Sequence, residues 1–377
     1  MPRPHIVVNT RLLLPNRLEG ISRFAYELLQ RMVARHSEVD FSFLFDRAFD
    51  EKYLFGSNVE PYVIAPQARH PLLWHAWFHF QLPRWLKKHP ATVFFSPEFY
   101  LPKADFVPRV PVFHDLAYEH FPQDLRPWAS HYCRKYSPRY AQWADHVLTV
   151  SDFSRQDIME RYGLPPEKIS VAPNGSSRAF SPLSSENIQS VRDRFSQGMP
   201  YFLFVGTQQP RKNLPHLLEA FDQFCVQHPD AGVRLLLVGR KGWKNQEAEQ
   251  VYQAMQARDR VIFTGFVSDE DLALLYGGCL ALTYVPYFEG FGLPLLEAMQ
   301  AEVPILTSRE SALPEVAGEA ALLVDPFRPE AIAEGLKQLW EQEGLREKLV
   351  AAGRMQREKF SWDQTYASVW PVLSRYF

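Results

Sequence analysis

The feature that most constrains the fold of this chain is a long alternation of short β-branched or aromatic runs with longer segments of helical periodicity. In the first half, the predicted strands cover residues 5–10, 40–46, 61–66, 92–97, 109–115, 146–151 and 169–175. A polar segment at 176–199 interrupts the pattern, which resumes with strands at 201–207, 234–239, 260–266, 280–286, 303–308 and 320–326. Strands that alternate with helices are typical of βαβ units and parallel sheets, so the sequence predicts two doubly wound α/β domains.

The length of the chain and the position of the interruption set the predicted domain boundaries. A chain of 377 residues exceeds one comfortable hydrophobic core. We predict a first domain at 1–178, a second at 179–355, and a C-terminal helix at 356–377 that packs back on the first domain through its aromatic residues. Ligands of open α/β sheets bind beyond the carboxyl ends of the strands, and two such domains face to face would make a cleft.

The composition excludes several classes of protein. The formal net charge is −2, without the basic excess of a nucleic-acid-binding protein. The three cysteines, Cys133, Cys225 and Cys279, are widely spaced and predict neither a disulfide framework nor a zinc site. The N-terminal residues do not form a signal-peptide pattern, and no run of about 18 apolar residues predicts a transmembrane helix. The expected location is therefore a reducing cytoplasm.

The first candidate binding element follows the strand at 201–207. The strand ends at Gly206, two adjacent cations stand at Arg211 and Lys212, and a helix with proline in its first turn begins near Leu214. Free backbone N–H groups at a helix start, next to two cations, make a cradle for an anion. A solvated basic turn explains this segment alone equally well. A P-loop is excluded because the chain has no G-x-x-x-x-G-K-[ST].

The second candidate element is the loop and helix start at 287–300. Glu289 and Glu297 stand eight positions apart around a Gly-Phe-Gly in an otherwise apolar stretch. Buried carboxylates are costly unless they are paired or hydrogen-bonded, and a carboxylate can accept two hydrogen bonds from the vicinal hydroxyls of a sugar or ribose. Gly290 and Gly292 would let the backbone approach a ligand closely. The alternative for Glu297 is a first-turn position that complements the helix dipole.

Together these elements resemble the retaining, GT-B-fold glycosyltransferases of family GT4. The resemblance rests on Gly206 with the Arg-Lys-Asn at 211–213, the E-x7-E of Glu289 and Glu297, and the block at 307–326; it covers nearly the whole chain. It implies that Arg211 and Lys212 bind the donor diphosphate and that Glu297 holds the ribose hydroxyls. It further implies that the transferred sugar and phosphate lie against Glu289, Gly290, Phe291, Gly292 and Leu293, and the base against Gly265, Phe266 and Val267.

The same resemblance assigns residues in the first domain. Gly20 matches the family's glycine loop before the first helix, and Ser22 stands where many relatives carry another glycine. His114 matches the active-site histidine, with Asp115 beside it, so the implied catalytic set is His114, Glu289, Arg211 and Lys212. Ser151 matches a strand-to-helix turn that could contact substrate. An equally good reading makes Ser151 or Asp152 the N-cap of the following helix.

Two further signals are better explained by local structure. Asp269-x-Asp271 has the shape of a metal site, but Ser268 opening a helix with acids in its first turn explains it as a cap. We expect no metal. The aromatic and basic segment at 69–90 could contact a membrane interface. A core helix broken at Pro83 accounts for its periodicity better.

The expected activity is metal-independent transfer of a hexose, with retention, from GDP-mannose or UDP-glucose to a hydroxyl of a glycan or lipid-linked acceptor in polysaccharide biosynthesis. The resemblance implies no cofactor beyond this nucleotide-sugar substrate, and no nucleic-acid partner is expected. A nucleotide-sugar epimerase, a phosphorylase of the same architecture and a non-catalytic nucleotide-sugar-binding protein remain alternatives. A dehydrogenase is disfavoured because no strand is followed by G-x-G-x-x-G.

Overall fold

The computed structural model describes residues 3–14, 20–177, 179–240, 242 and 246–377. It divides into two compact units, one comprising Met1–Asn174 with Trp362–Phe377 and the other Gly175–Ser361. The predicted first boundary, after residue 178, falls at a position outside the described ranges. The second predicted boundary was at residue 355, whereas unit 1 resumes at Trp362.

Unit 1 contains a parallel sheet with, among the described residues, seven strands in the order β3-β2-β1-β4-β5-β6-β7. The strands are β1 His5–Asn9, β2 Asp40–Phe45, β3 Val59–Val63, β4 Val93–Ser96, β5 Arg109–Phe113, β6 Val147–Thr149 and β7 Ile169–Val171. The helices are α1 Ile21–Arg35, α2 Pro71–Ala76, α3 Leu82–Lys88, α4 Ala117–His120, α5 Pro127–Trp143, α6 Asp152–Tyr162 and the C-terminal α15 Trp362–Ser374.

Unit 2 repeats the arrangement. Its described residues form a six-stranded sheet in the order β10-β9-β8-β11-β12-β13, again parallel throughout. Its strands are β8 Tyr201–Val205, β9 Arg234–Val238, β10 Val261–Gly265, β11 Ala281–Tyr284, β12 Ile305–Ser308 and β13 Ala321–Val324. Its helices are α7 Ser185–Ser196, α8 Leu214–Gln227, α9 Gln246–Ala254, α10 Asp269–Gly278, α11 Leu293–Gln300, α12 Leu313–Ala317, α13 Pro329–Glu341 and α14 Glu343–Arg357.

The predicted fold class is confirmed, and each predicted strand is present. The central strands are continuous apolar runs because helices cover both faces of a parallel sheet, as the fully buried stretch from Tyr201 to Phe204 in β8 shows. Strand β3 lies nearer the N-terminus than predicted, since it begins at Val59 rather than at residue 61. The strand runs through Pro61 because β3 is an edge strand, where one side of the backbone needs no ladder partner.

Two segments differ from the sequence-based picture. The polar segment at 176–199 contains helix α7, which Ser184 caps and whose Val191 is buried, so part of it belongs to unit 2. The segment at 69–90 is helical, with Trp77 and Phe78 fully buried, as the core interpretation predicts. Its irregularity is a π-helical turn at Trp77–Gln81 rather than a break at Pro83. Such a turn accommodates a proline that cannot donate to the preceding turn.

The C-terminal helix α15 packs on α1 within unit 1. Trp362 lies edge-on to Phe24 with ring centroids 6.3 Å apart, and Trp370 stacks on His36 at 3.5 Å. Asp363 pairs with Arg31 at 3.1 Å. Within the described part of the chain, no helix has both the length and the apolar character needed to span a bilayer.

Candidate active site

The two loops that the sequence singled out in unit 2 are neighbours at one edge of the sheet. The first follows β8 and runs from Gly206 through a 3-10 turn at Pro210–Lys212. The second follows β11 and leads into α11. Because β8 and β11 pair directly and in parallel, their carboxyl ends lie side by side. This is the edge at which doubly wound sheets bind ligands.

An ionic cluster joins the two loops. Arg211 Nη1 donates to Glu289 Oε1 at 2.5 Å and to the Phe288 carbonyl at 3.2 Å. Lys212 Nζ donates to the same Glu289 oxygen and to the hydroxyl of Tyr284. Glu289 is only 8% exposed. Two cations therefore share one buried carboxylate, and the cluster carries a net positive charge.

The environment keeps Glu289 ionised. Burial by itself raises the pKa of Glu289, but the charges of Arg211 and Lys212 and the hydrogen bonds that both donate lower this pKa to about 2. The neighbouring hydroxyl of Tyr284 has its pKa raised, first by burial and then by the charge of Glu289, so it remains a neutral phenol. At neutral pH Glu289 is thus a hydrogen-bond acceptor and cannot act as an acid.

Hydrogen bonds to backbone groups hold the two loops against each other. Asn213 adopts a left-handed conformation (φ 61°, ψ 35°), and its Nδ2 donates to the carbonyls of Val285 at 3.0 Å and Pro326 at 2.6 Å. The Tyr287 N–H donates to the Arg211 carbonyl at 3.1 Å. The Glu289 N–H donates to Ser311 Oγ at 3.0 Å. These contacts fix the cluster before any ligand binds, which is what preorganised electrostatics requires.

The start of helix α11 packs closely against Leu313. Gly292 precedes the helix with φ 104°, and a Cβ there would lie 2.7 Å from Leu313 Cδ2, so only glycine fits. Gly290 and Phe291 are buried, and the Phe291 ring packs edge-on against Phe360 at 5.6 Å. The Phe291 side chain therefore belongs to the core of unit 2. Leu293 opens the helix and is half-buried.

Glu297 lies in the second turn of α11 and not in its first. No acidic residue occupies the first turn of this helix, so the helix-dipole interpretation of Glu297 is wrong. Instead the hydroxyl of Tyr276, on α10, donates to Glu297 Oε2 at 2.6 Å. Burial and then the charge of Glu297 raise the pKa of Tyr276. Tyr276 therefore stays protonated and orients one oxygen of the half-buried Glu297.

The ends of β9 and β10 continue the same edge. Gly239 follows β9 with φ 135°, and a Cβ there would lie 2.0 Å from the Gly206 carbonyl oxygen, so the two turns touch through their backbones. Gly265 ends β10 with φ 71°, and a Cβ there would meet no atom within 4 Å. The ring of Phe266 is 56% exposed with the Arg240 guanidinium 4.6 Å from its centroid, and Val267 is half-buried.

In unit 1, His114 follows the carboxyl end of β5. Its Nε2 lies 2.9 Å from the Pro97 carbonyl, and its ring packs edge-on against Phe24 at 5.0 Å. Burial lowers the pKa of His114 against the smaller opposing effects of that carbonyl and of Asp115. The imidazole is therefore neutral at pH 7, with its Nε2–H directed to the carbonyl. Asp115 Oδ1 accepts from the Ala117 N–H at 3.0 Å.

The remaining predicted positions of unit 1 lie at helix starts. Gly20 precedes α1 with φ 51° and is exposed, while Ser22 is buried in the first turn. Ser151 is fully buried and caps α6, accepting from the Ser154 N–H at 3.1 Å. The N-cap interpretation is confirmed, with Ser151 rather than Asp152 as the cap.

Sequence reasoning missed several residues that shape these sites. Tyr276, Tyr284 and Ser311 contact the predicted residues, but each lies in a segment whose local pattern predicts only core or turn. It also missed a buried pair in unit 1. The guanidinium of Arg11, after β1, donates from Nε and Nη2 to both oxygens of Glu98, after β4, at 2.5 Å. Arg11 also lies 4.9 Å from the centroid of Tyr100.

The Asp269 region has a structural explanation. Ser268 caps α10 by accepting from the Asp271 N–H at 3.1 Å, as predicted. Both Nη atoms of Arg194 donate to the carboxylate oxygens of Asp271, at 2.8 and 2.9 Å. Within the described ranges, no group of three or more His, Cys, Asp or Glu side chains is placed to hold a metal ion.

Comparisons with known proteins agree with this arrangement. The family described as Glycosyltransferase Family 4 matches residues 18–178, and that described as Glycosyl transferases group 1 matches residues 186–356. The chain is 30% identical over 363 residues to the O-antigen chain mannosyltransferase B of Escherichia coli, covering 92% of this chain and 93% of that protein.

Two solved structures share the fold. Sucrose-phosphate synthase from Thermosynechococcus elongatus is similar with a TM-score of 0.79 at 17% identity, over 99% of each chain. Anabaena HepE, solved in complex with UDP-glucose, gives a TM-score of 0.76 at 18% identity, over 98% of this chain and 99% of that one. With both sequence families in order along the chain and a relative matched over nearly its whole length, this chain is a glycosyltransferase and belongs to glycosyltransferase family 4.

Proposed function

We propose that this protein transfers a hexose from a nucleoside-diphosphate sugar to a hydroxyl of a glycan or lipid-linked acceptor in polysaccharide biosynthesis, with retention at the anomeric carbon and without a metal ion. The observation that carries the proposal is the cluster of Arg211, Lys212 and Glu289, which has one more cation than carboxylate at the ligand-binding edge of the sheet. The name of the E. coli relative, an O-antigen chain mannosyltransferase, favours mannose, and the UDP-glucose complex of HepE favours glucose.

The proposed reaction requires stabilisation of the charge on the leaving group more than it requires a protein nucleophile. The bond between the anomeric carbon and the diphosphate oxygen breaks, and negative charge grows on the departing diphosphate. Arg211 and Lys212 would receive that charge, together with the backbone N–H groups at the start of α11. The acceptor oxygen bonds to the anomeric carbon on the same face, and its proton passes to a leaving phosphate oxygen. The atoms then balance without a protein base.

Glu289 and Glu297 would have separate tasks in this scheme. Glu289 holds the two cations in place and, being ionised, can also accept from a sugar hydroxyl. Glu297, with one oxygen oriented by Tyr276, would accept from the ribose hydroxyls. The exposed ring of Phe266, with Arg240 above it, gives the base an aromatic surface beside Gly265 and Val267. Neutral His114 of unit 1 would act as a hydrogen-bonding group for a sugar hydroxyl.

The experiment that tests the proposal joins ligand binding with product analysis. The protein is screened by thermal shift against UDP, GDP, ADP and their common sugars, because a ligand at 100 times its Kd stabilises the folded state by about 2.7 kcal/mol. The best donor is then incubated with a glycan acceptor, and the anomeric configuration of the product is read by NMR. An inverted linkage, a sugar epimerised without acceptor, or donor binding with no turnover of any kind would each refute the proposal.

The metal-independent part has its own test. We expect EDTA to leave the transfer rate unchanged, since the net positive charge of the cluster and the backbone N–H groups at the start of α11 would stabilise the departing diphosphate without a metal. Loss of activity on chelation, with recovery on adding Mg²⁺, would show instead that a divalent ion takes part. Asp269 would then be a candidate metal ligand.

A further inference from the structure

An exposed aromatic pair lies on unit 2, outside the groups that the proposed reaction uses. The ring of Phe327, which follows β13, stacks on the ring of Tyr287, which follows β11, with centroids 6.0 Å apart and planes at 22°. Phe327 is 51% exposed, and Tyr287 is half-buried. We call these two rings the aromatic platform. A single exposed phenylalanine is ordinary on a protein surface, so its anchoring and its position decide whether it can serve a ligand.

Hydrogen bonds fix the backbone under both rings of the aromatic platform. The Phe327 N–H donates to Asp325 Oδ1 at 3.0 Å, and the carbonyl of the preceding residue accepts from Asn213 Nδ2 at 2.6 Å. The Tyr287 N–H donates to the Arg211 carbonyl at 3.1 Å. Because both residues are already held in place, little conformational entropy is lost when a ligand binds against them.

The order of the strands places the aromatic platform on one side of the ion cluster and the proposed base position on the other. The sheet of unit 2 runs β10-β9-β8-β11-β12-β13. Phe266 follows β10, the cations and Glu289 follow β8 and β11, and Phe327 follows β13. A donor extended along this edge, with its base at Phe266 and its diphosphate at the cluster, would bring its sugar towards β12 and β13. Since neighbouring strands are about 4.8 Å apart, β13 lies about 10 Å beyond β11.

The polar side chains beside the aromatic platform carry no net charge. Arg309 Nη2, after β12, lies 2.6 Å from Asp325 Oδ2, and Arg309 Nε lies 3.7 Å from Glu310 Oε1. Arg328, next to Phe327, is exposed. These two cations and two carboxylates balance, which disfavours a phosphate or another anion as the ligand. A neutral polyol suits them, because carboxylates accept from hydroxyls and guanidinium groups donate to hydroxyls.

We propose that the aromatic platform binds a neutral pyranose residue of the acceptor glycan, on the side of the cluster that faces away from the base. The C–H groups on one face of a hexopyranose form an apolar surface, which the negative face of an aromatic ring attracts. Hydroxyls at the rim of the same sugar would reach Arg309 and Asp325. This inference rests on the proposed function, and it makes unit 2 a contributor to acceptor binding as well as to donor binding.

Binding is tested without turnover, by affinity gel electrophoresis of the full chain in gels that contain α-mannan or dextran. At least one of these neutral polysaccharides should retard the wild type. Phe327→Ala should weaken that binding about tenfold, as expected when an aromatic ring loses contact with its ligand. The matched control is Phe263→Ala, because Phe263 is also an exposed phenylalanine of unit 2 beside a tyrosine, with its ring edge-on to Tyr252 at 5.0 Å. This control should be retarded as strongly as the wild type.

Transfer kinetics test the distance between the aromatic platform and the reacting end of the acceptor. KM should be lower for a long oligosaccharide acceptor than for a monosaccharide acceptor, because only the long acceptor reaches both positions. Phe327→Ala should abolish that difference through KM, with kcat little changed. A variant that merely disturbed the fold would instead lower kcat for acceptors of every length.

Three results would overturn the proposal. One is retardation of the wild type by neither polysaccharide. The second is an equal loss of retardation in Phe327→Ala and Phe263→Ala. The third is a concentration-dependent dimer in sedimentation velocity that Phe327→Ala abolishes while retardation stays intact, which would assign the platform to a second copy of this chain. Failure of the proposed function is a separate result: a wild type that transfers no hexose, but whose retardation still depends on Phe327, would refute the reaction and retain the glycan site.

Discussion

The two units place a buried carboxylate at the same topological position and surround it differently. In unit 1, Arg11 follows β1 and Glu98 follows β4; in unit 2, Arg211 and Lys212 follow β8 and Glu289 follows β11. Both strand pairs are at the point where the strand order of the sheet reverses, where doubly wound folds bind ligands. In unit 1 one cation meets one carboxylate, and in unit 2 two cations share one.

The other contacts of the two carboxylates also separate a sealed pair in unit 1 from a charged cluster in unit 2. Asn9 Nδ2 adds a hydrogen bond to Glu98 Oε1 at 2.7 Å, and the rings of Phe78 and Tyr100 lie against the Arg11 guanidinium. The pair of unit 1 is therefore neutral and sealed. In unit 2 the excess cation leaves the cluster able to attract an anion. The comparison indicates that the carboxylate of unit 1 serves the fold, and it supports the proposal that the cluster of unit 2 binds a diphosphate.

The largest effect expected from this difference between the units is that of removing Glu98. Glu98→Ala should destabilise unit 1 by about 3–5 kcal/mol, because Arg11 is left as an uncompensated buried charge. Urea unfolding followed by tryptophan fluorescence is suitable, since seven of the nine tryptophans lie in unit 1. Arg11→Met/Glu98→Leu should recover most of the loss, and exposed Glu167→Ala is the control. A loss below about 1 kcal/mol would show that the pair is not sealed.

The second test uses the pKa of Glu289. This pKa is lowered to about 2 from an ordinary value of 4.5, so ionised Glu289 stabilises unit 2 fully above pH 4.5, and the contribution is lost as the pH falls towards 2. The shift corresponds to up to about 3 kcal/mol. Glu289→Gln should flatten this pH dependence, measured by hydrogen exchange of peptides covering 281–300. Exposed Glu347→Gln should keep the wild-type profile, and an unchanged profile in Glu289→Gln would contradict the ion cluster.

The third test addresses the excess cation. Lys212→Ala should lower kcat/KM for transfer by about 100-fold or more, as expected for loss of one preorganised charge donor, while circular dichroism shows a retained fold. Lys348→Ala, at an exposed position of unit 2, is the matched control. Transfer within a factor of a few of wild type would remove the cluster from the mechanism.

The smallest expected effect concerns Tyr276. Tyr276→Phe removes the hydrogen bond to Glu297 Oε2 and should weaken donor binding by about 1 kcal/mol, raising Kd roughly fivefold with little change in kcat. Calorimetric titration with the donor nucleotide measures this, and Tyr252→Phe on α9 is the control. If kcat falls and Kd does not, then Glu297 acts on the transferring sugar and not on the ribose.

Much of this protein could be predicted from local sequence patterns. The alternation of apolar runs and helical periodicity predicted the strands of both sheets, and Ser151 and Ser268 were recognisable caps because a cap is decided within four residues. Arg211, Lys212 and Glu289 stood out as charges beside strand ends. The turn at Trp77–Gln81 was not predictable in this way, because a proline within a helix can end it, kink it or be absorbed by a wider turn.

The sequence by itself determined the fold class and the loops of the candidate site, because periodicity and turn residues act over a few neighbouring positions. Only the tertiary structure decided which charges neutralise one another. Arg11 and Glu98 are 87 residues apart, and Lys212 and Glu289 are 77 apart, and each pair meets because the first and fourth strands of its sheet are neighbours. That strand order is set by long-range packing, so one cluster became a sealed pair and the other kept its excess cation.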